Sequence, residues 1–148
     1  MARNAAFLEF VIEHLLFPDM KSGSLVFWFS ILCFIISFVG QVIRSLAMFT
    51  AAKSFTHLVV YEKAEDHVLV DYGIYKYIRH PSYFGWYMWA VFMQLGMLNP
   101  VCTVVYIVVI YRFFANRIPD EEAALLSFFG KAYKEYRDKT PTYLPGIN

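Results

Sequence analysis

The chain has 148 residues and a formal net charge of +1, enough for one domain and too balanced to suggest a nucleic-acid partner. It is 59% hydrophobic, 20% aromatic and only 17% charged, with a mean hydropathy of +0.46. Ordinary globular chains carry roughly 45–50% apolar and about 25% charged residues, so an ordinary soluble domain is excluded and an all-α integral membrane protein is expected.

The first apolar stretch, Phe7–Phe17, carries Glu9, Glu13 and His14. An isolated carboxylate at mid-membrane is costly, which predicts an interfacial or re-entrant helix over 7–17, ending before Pro18. The same carboxylates and the lack of a small-residue cleavage site argue against a signal peptide. Leu25–Ile43 holds no charge. About twenty apolar residues cross the hydrocarbon core, so a transmembrane helix is predicted over 25–50, with Arg44 reaching toward the headgroups.

The cytosolic loop expected over 51–81 contains Asp66–Tyr83, where Gly73 reads as a turn and Arg79 as an interfacial charge. Tyr75, Tyr77 and Tyr83 suit an aromatic belt at headgroup depth, and His14 and His57 read as interfacial. Equally, the amides that open the helix after Pro81 could receive an anionic group, and both readings stand at this point. The apolar run from Tyr83 to Ala115 is too long for one crossing. Proline disfavours helix at the residue before it, so Asn99-Pro100 divides the run into a transmembrane hairpin, 82–98 and 100–115.

Pro119 followed by Asp120, Glu121 and Glu122 has the composition of a helix start. It predicts an amphipathic cytosolic helix over 119–139, with Leu125, Leu126, Phe129, Ala132, Tyr133 and Tyr136 on one stripe. Arg117 and Glu121, four apart, suit either an ion pair or a grip on a carboxylate and a cation. Cys33 and Cys102 lie in apolar stretches and read as buried thiols; no metal site is expected. Of the 13 Lys and Arg residues, only Arg3 and Lys21 fall on the face opposite the 53–79 loop and the tail, which makes the latter face cytosolic. No Gly-rich dinucleotide loop, phosphate-binding loop or nucleophile elbow is present, so any cofactor pocket must be built by membrane helices and their caps.

The segments RHPSYFGW, NPVC, MFTAAKSFTHLV and YRFFANRIPDEEAALLSFFGKAYKEYRDKTPTYLPGI together resemble the isoprenylcysteine carboxyl methyltransferase family, in one register through nearly the whole chain. The resemblance implies a single methyltransferase domain over 1–148 in the endoplasmic reticulum membrane, its active site facing the cytosol. It implies S-adenosylmethionine as methyl donor, no metal, and prenylated CaaX-type proteins, after C-terminal trimming, as substrates. Cofactor contacts carry over onto His67, Val68, Leu69, Val70, Tyr75, His80, Pro81, Ser82, Tyr83 and Glu121, and Arg117 becomes the catalytic residue that binds the substrate carboxylate. The chain departs from the family at Val60, where a cofactor-facing Gln is expected, and lacks N-terminal helices of eukaryotic members, as a short form or catalytic part would. The R-H-P-x-Y element also occurs in membrane phospholipid methyltransferases and NADPH-dependent sterol reductases. Those activities, and a non-catalytic membrane subunit, are the alternatives.

Overall fold

The computed structural model describes residues 2–51 and 68–147. Among the described residues five α-helices follow one another: α1 (Ala2–Leu16), α2 (Ser24–Ala51), α3 (Pro81–Gly96), α4 (Pro100–Phe129) and α5 (Lys131–Lys139). Short 3₁₀ turns occupy Pro18–Lys21 and Gly73–Lys76. Among the described residues there is no strand, only a bridge between Leu144 and Ile147, so the architecture is all-α as the composition predicts. The α2 and α4 helices are long and apolar enough to cross a membrane, while α3, at 16 residues, is near the short limit. Large side chains along α2 stay uncovered, including Leu25, Trp28, Phe38 and Phe49.

The chain divides into two compact units, Met1–Gln41 with Trp86–Ile110 and Val42–Gly85 with Tyr111–Asn148. In the first, the Ser37 hydroxyl donates to the Trp89 carbonyl at 3.1 Å, tying α2 to α3. Gly96 permits close approach of those helices: a Cβ there would stand 2.7 Å from the Phe34 ring. The Gly96–Asn99 corner turns through a left-handed Leu98 (φ 56°).

That corner is held from α1. The Glu9 carboxylate accepts from the N–H groups of Val101 at 2.7 Å and Cys102 at 2.8 Å, two donors that the first turn of any helix leaves open. Lys21 donates to the Met97 carbonyl at 2.9 Å and pairs with Glu13 at 3.0 Å. Fully buried Asn99 donates to the Ala6 carbonyl at 2.9 Å and to Gln94 at 3.2 Å. The two carboxylates that looked unfavourable in the apolar α1 are therefore bound, one by helix amides and one by an ammonium.

The second unit differs from the expected boundaries. Rather than ending at Ala115 and restarting at Pro119, α4 runs through Pro119 to Phe129. An interior proline removes one ladder hydrogen bond and costs about 3 kcal/mol. Here Phe114, Ile118 and Glu122, spaced by four, are all buried on one face, and that burial holds the helix across the proline. The break falls instead at Gly130, whose φ of 54° few other residues adopt, so the stripe expected over 119–139 is split between α4 and α5. Beyond α5, Thr142, Leu144 and Ile147 turn back into the core of this unit, with the Thr142 hydroxyl bonded to the Ile147 carbonyl.

Candidate functional site

The start of α3 gathers polar groups from three other parts of the second unit. Pro81 is its first residue, where a missing N–H costs nothing, and the amides of Tyr83 and Phe84 both reach the His80 carbonyl, at 3.1 and 3.0 Å. From α2, Arg44 donates through Nη1 to the Ser82 carbonyl at 3.1 Å and to Ser82 Oγ at 3.0 Å.

Arg79 and His80 share one carboxylate. Arg79 Nε lies 2.6 Å from Glu122 Oε1, and His80 Nε2 lies 3.1 Å from the same oxygen. Arg79 also donates through Nη1 to the carbonyls of Arg137, at 2.8 Å, and Thr140, at 3.1 Å. Its own N–H donates to the Pro141 carbonyl at 2.9 Å. Arg79 is only 6% exposed, so the expectation of an interfacial charge is corrected: it is a buried clasp between the α3 start and the C-terminal segment. The open carbonyls at the end of α5 and the Glu122 charge draw it inward, since a buried guanidinium depends on protein groups for its partners.

Tyr83 joins the second carboxylate to the second arginine. Its hydroxyl donates to Glu121 Oε2 at 2.6 Å and accepts from Arg117 Nε at 2.7 Å, while the guanidinium and carboxylate themselves stand 4.0 Å apart. The Tyr83 ring stacks on His80, 5.6 Å between centroids and 12° from parallel, and leans on Phe114 at 4.9 Å. Arg117 and Glu121 are thus more than an isolated (i, i+4) pair.

Tyr75 closes a further edge. Its hydroxyl donates to the Ala47 carbonyl at 3.4 Å, and its carbonyl accepts from the Tyr136 hydroxyl at 2.8 Å. Burial, with the Glu121 charge adding, pushes the Tyr75 phenol up to about 12, and burial raises that of Tyr136 as well. Both are neutral donors at physiological pH. Among the described residues the buried Tyr133 hydroxyl has no hydrogen-bond partner. A cleft of about 430 Å³ lies alongside, lined by Leu69, Asp71, Lys76, Glu135, Tyr136 and Lys139 among others.

Of the residues singled out in the sequence, the structure brings together His80, Pro81, Ser82, Tyr83, Arg117 and Glu121 at the α3 start, with Tyr75 on the neighbouring turn. Leu69 lines the cleft, Val68 is exposed and Val70 half-buried. His67, His57 and Val60 lie outside the described residues. His14 is exposed and stacks on Phe10, and Cys33 and Cys102 are buried free thiols. Among the described residues no metal-binding cluster occurs. Sequence reasoning missed Glu122, Arg44 and Tyr136. Glu122 carried one signal, a second carboxylate beside Glu121 that must face a different way on the helix.

The family model described as the isoprenylcysteine carboxyl methyltransferase (ICMT) family matches residues 31–127. A protein-S-isoprenylcysteine O-methyltransferase of Dictyostelium discoideum is 46% identical over 148 residues, covering 100% of this chain and 61% of that protein. The Homo sapiens protein of the same name is 40% identical over 147 residues, covering 99% of this chain and 51% of its own. The solved structure of a eukaryotic intramembrane Ras methyltransferase, an isoprenylcysteine carboxyl methyltransferase, superposes with a TM-score of 0.92 at 40% identity, over 99% of this chain and 51% of the other. The chain thus spans 51% to 61% of the length of these relatives.

Proposed function

The chain belongs to the isoprenylcysteine carboxyl methyltransferase family, a family of membrane proteins, and from that premise we propose that it methylates the C-terminal carboxylate of prenylated cysteine. The donor is S-adenosylmethionine, and the substrates are prenylated CaaX-type proteins after trimming. In this reading α2 is one membrane span, α3 and the first half of α4 form a spanning hairpin, and α1 lies at the interface or re-enters. The Pro119 end of α4, with α5, faces the cytosol of an endoplasmic reticulum membrane.

The observation that carries the reading is the Arg117–Tyr83–Glu121 arrangement at the start of α3. It offers a fork of N–H donors for a carboxylate beside a carboxylate for a cation. The residues fit S-adenosylmethionine by their chemistry: Glu121 and the Tyr83 and Phe114 rings suit a positive charge, and Ser82 and the α3 start suit a carboxylate. When bound, that cofactor supplies an activated methyl group.

The rest of the chemistry asks little of the protein. A C-terminal carboxylate has a reference pKa of about 3.5 and is already ionised at pH 7, so no general base is required. Arg117 grips and orients it through parallel donors. Its grip is shared with the Tyr83 hydroxyl, which leaves the nucleophilic oxygen less tightly neutralised. Orientation is therefore the main contribution of these residues. The prenyl chain contributes affinity from the lipid side, about 0.8 kcal/mol per buried CH₂.

The test is transfer of label from methyl-labelled S-adenosylmethionine to a farnesylcysteine analogue by the purified chain. A base-labile methyl ester is expected, and Arg117→Ala and Glu121→Ala should each lower its formation at least tenfold. A base-stable product on an amine headgroup would indicate a phospholipid methyltransferase. Binding of NADPH without the methyl donor would indicate a reductase, and binding of neither a non-catalytic subunit.

A further inference from the structure

Arg44 reaches the start of α3 from a different helix, at a position that no motif marks. Its Nη1 donates both to the Ser82 carbonyl and to Ser82 Oγ, at 3.1 and 3.0 Å. A guanidinium has donors and no acceptor, so Ser82 Oγ accepts here and its own proton must go elsewhere. Ser82 is 6% exposed, and among the described residues no acceptor takes that proton. Buried hydroxyl groups seldom keep an unpaired proton, so the missing acceptor points to a ligand.

The surroundings select its charge. Ser82 lies in the first turn of a 16-residue helix, whose N-terminal end is electropositive. The Arg44 guanidinium adds a second positive group to the same spot. We infer that Arg44 is a positioning residue that aims the Ser82 hydroxyl at a carboxylate oxygen of the bound ligand. The inference rests on the proposed methyl transfer, in which both reactants carry a carboxylate: the methionine part of S-adenosylmethionine and the C terminus of the prenylcysteine. The hydrogen bond is the same for either, and the experiment separates them.

The full chain in nanodiscs is titrated with S-adenosylmethionine by calorimetry, and KM is measured for the donor and for a farnesylcysteine analogue. Ser82→Ala and Arg44→Ala should each weaken one of the two by about tenfold, the effect of losing one hydrogen bond to a charged group. The weakened reactant is the one whose carboxylate sits at Ser82. The double variant should be no weaker than either single one, because each removes the same bond. Arg44→Lys, which keeps a donor, should recover part of the loss. If Arg44 only braces the fold, Arg44→Ala leaves the S-adenosylmethionine affinity and both KM values unchanged and lowers the melting temperature alone; that pattern overturns the inference. Should Arg44→Ala fail to fold, the cycle of Arg44→Lys with Ser82→Ala decides in the same way. A parent chain that binds S-adenosylmethionine while Ser82→Ala binds it and the analogue equally well sinks the inference alone. A parent that binds no S-adenosylmethionine sinks the methyltransferase reading and the inference with it.

Discussion

Arg79 and His80 are neighbours in the chain and share Glu122, yet their surroundings set them different tasks. Arg79 pairs with the Glu122 charge and donates through Nη1 to the carbonyls of Arg137 and Thr140, all inside the protein. Replacing it by Ala would leave Glu122 buried beside His80 alone and two carbonyls without their donor. Breaking a buried pair from one side costs about 3–5 kcal/mol. Arg79→Ala should therefore lower the melting temperature sharply, followed by tryptophan fluorescence in detergent. The control is Lys131→Ala, whose pairing with Glu135 at 3.7 Å is solvent-exposed, and which should leave the melting temperature unchanged. An Arg79→Ala protein as stable as the Lys131→Ala protein would refute the clasp. The sequence displayed Arg79 only as a charge before an apolar run. Its carbonyl partners lie some sixty positions further on, and no local periodicity encodes such a pairing.

At the scale of elements, α1 explains why an apolar helix carries two glutamates. The Glu9 oxygens occupy the open amides at the start of α4, where an anion also meets the positive end of the helix dipole. Glu9→Ala removes both bonds and should cost about 0.5–2 kcal/mol, the range for loss of an N-cap. Glu9→Gln retains one acceptor oxygen without the charge and should fall between the variant and the parent. Thermal unfolding of the three proteins gives the order, and equal midpoints for Glu9→Ala and parent would show that α1 does not hold the corner. Here the sequence was legible in kind and not in detail. Carboxylates in an apolar helix called for polar partners, but the amides that supply them could only be found in three dimensions. The Pro119 boundary was misread for the converse reason. Proline is a strong local signal, and the burial of Phe114, Ile118 and Glu122 overrides it. Gly130, with no special mark in the pattern, became the actual break because the backbone there is left-handed.

For the molecule as a whole, the readable part was the alternation of apolar blocks with basic segments, because hydropathy and charge act additively along a chain. The same additivity predicts orientation. Only Arg3 and Lys21 precede α2, whereas Lys76, Arg117, Lys131, Lys134, Arg137 and Lys139 belong to the unit that holds the proposed site. Positive segments stay on the cytosolic side, so the α3 start, the Pro119 end of α4 and α5 should all be reached from the cytosol. In the proposed methyl transfer a water-soluble donor would then arrive from the same side as the polypeptide, with only the prenyl chain approaching through lipid. Single cysteines decide this in sealed endoplasmic reticulum vesicles with the cytosolic face outward. Native Cys33 and Cys102 are buried, at 2% and 7% exposure, so their background labelling by a membrane-impermeant maleimide should be low. Lys131→Cys, at an exposed position, should react in intact vesicles, and Ser22→Cys, also exposed, only after detergent opens them. The opposite pattern would place α5 in the lumen, away from S-adenosylmethionine. It would leave the proposed methyl transfer without its donor, however well the side chains at Tyr83, Arg117 and Glu121 are arranged to receive it.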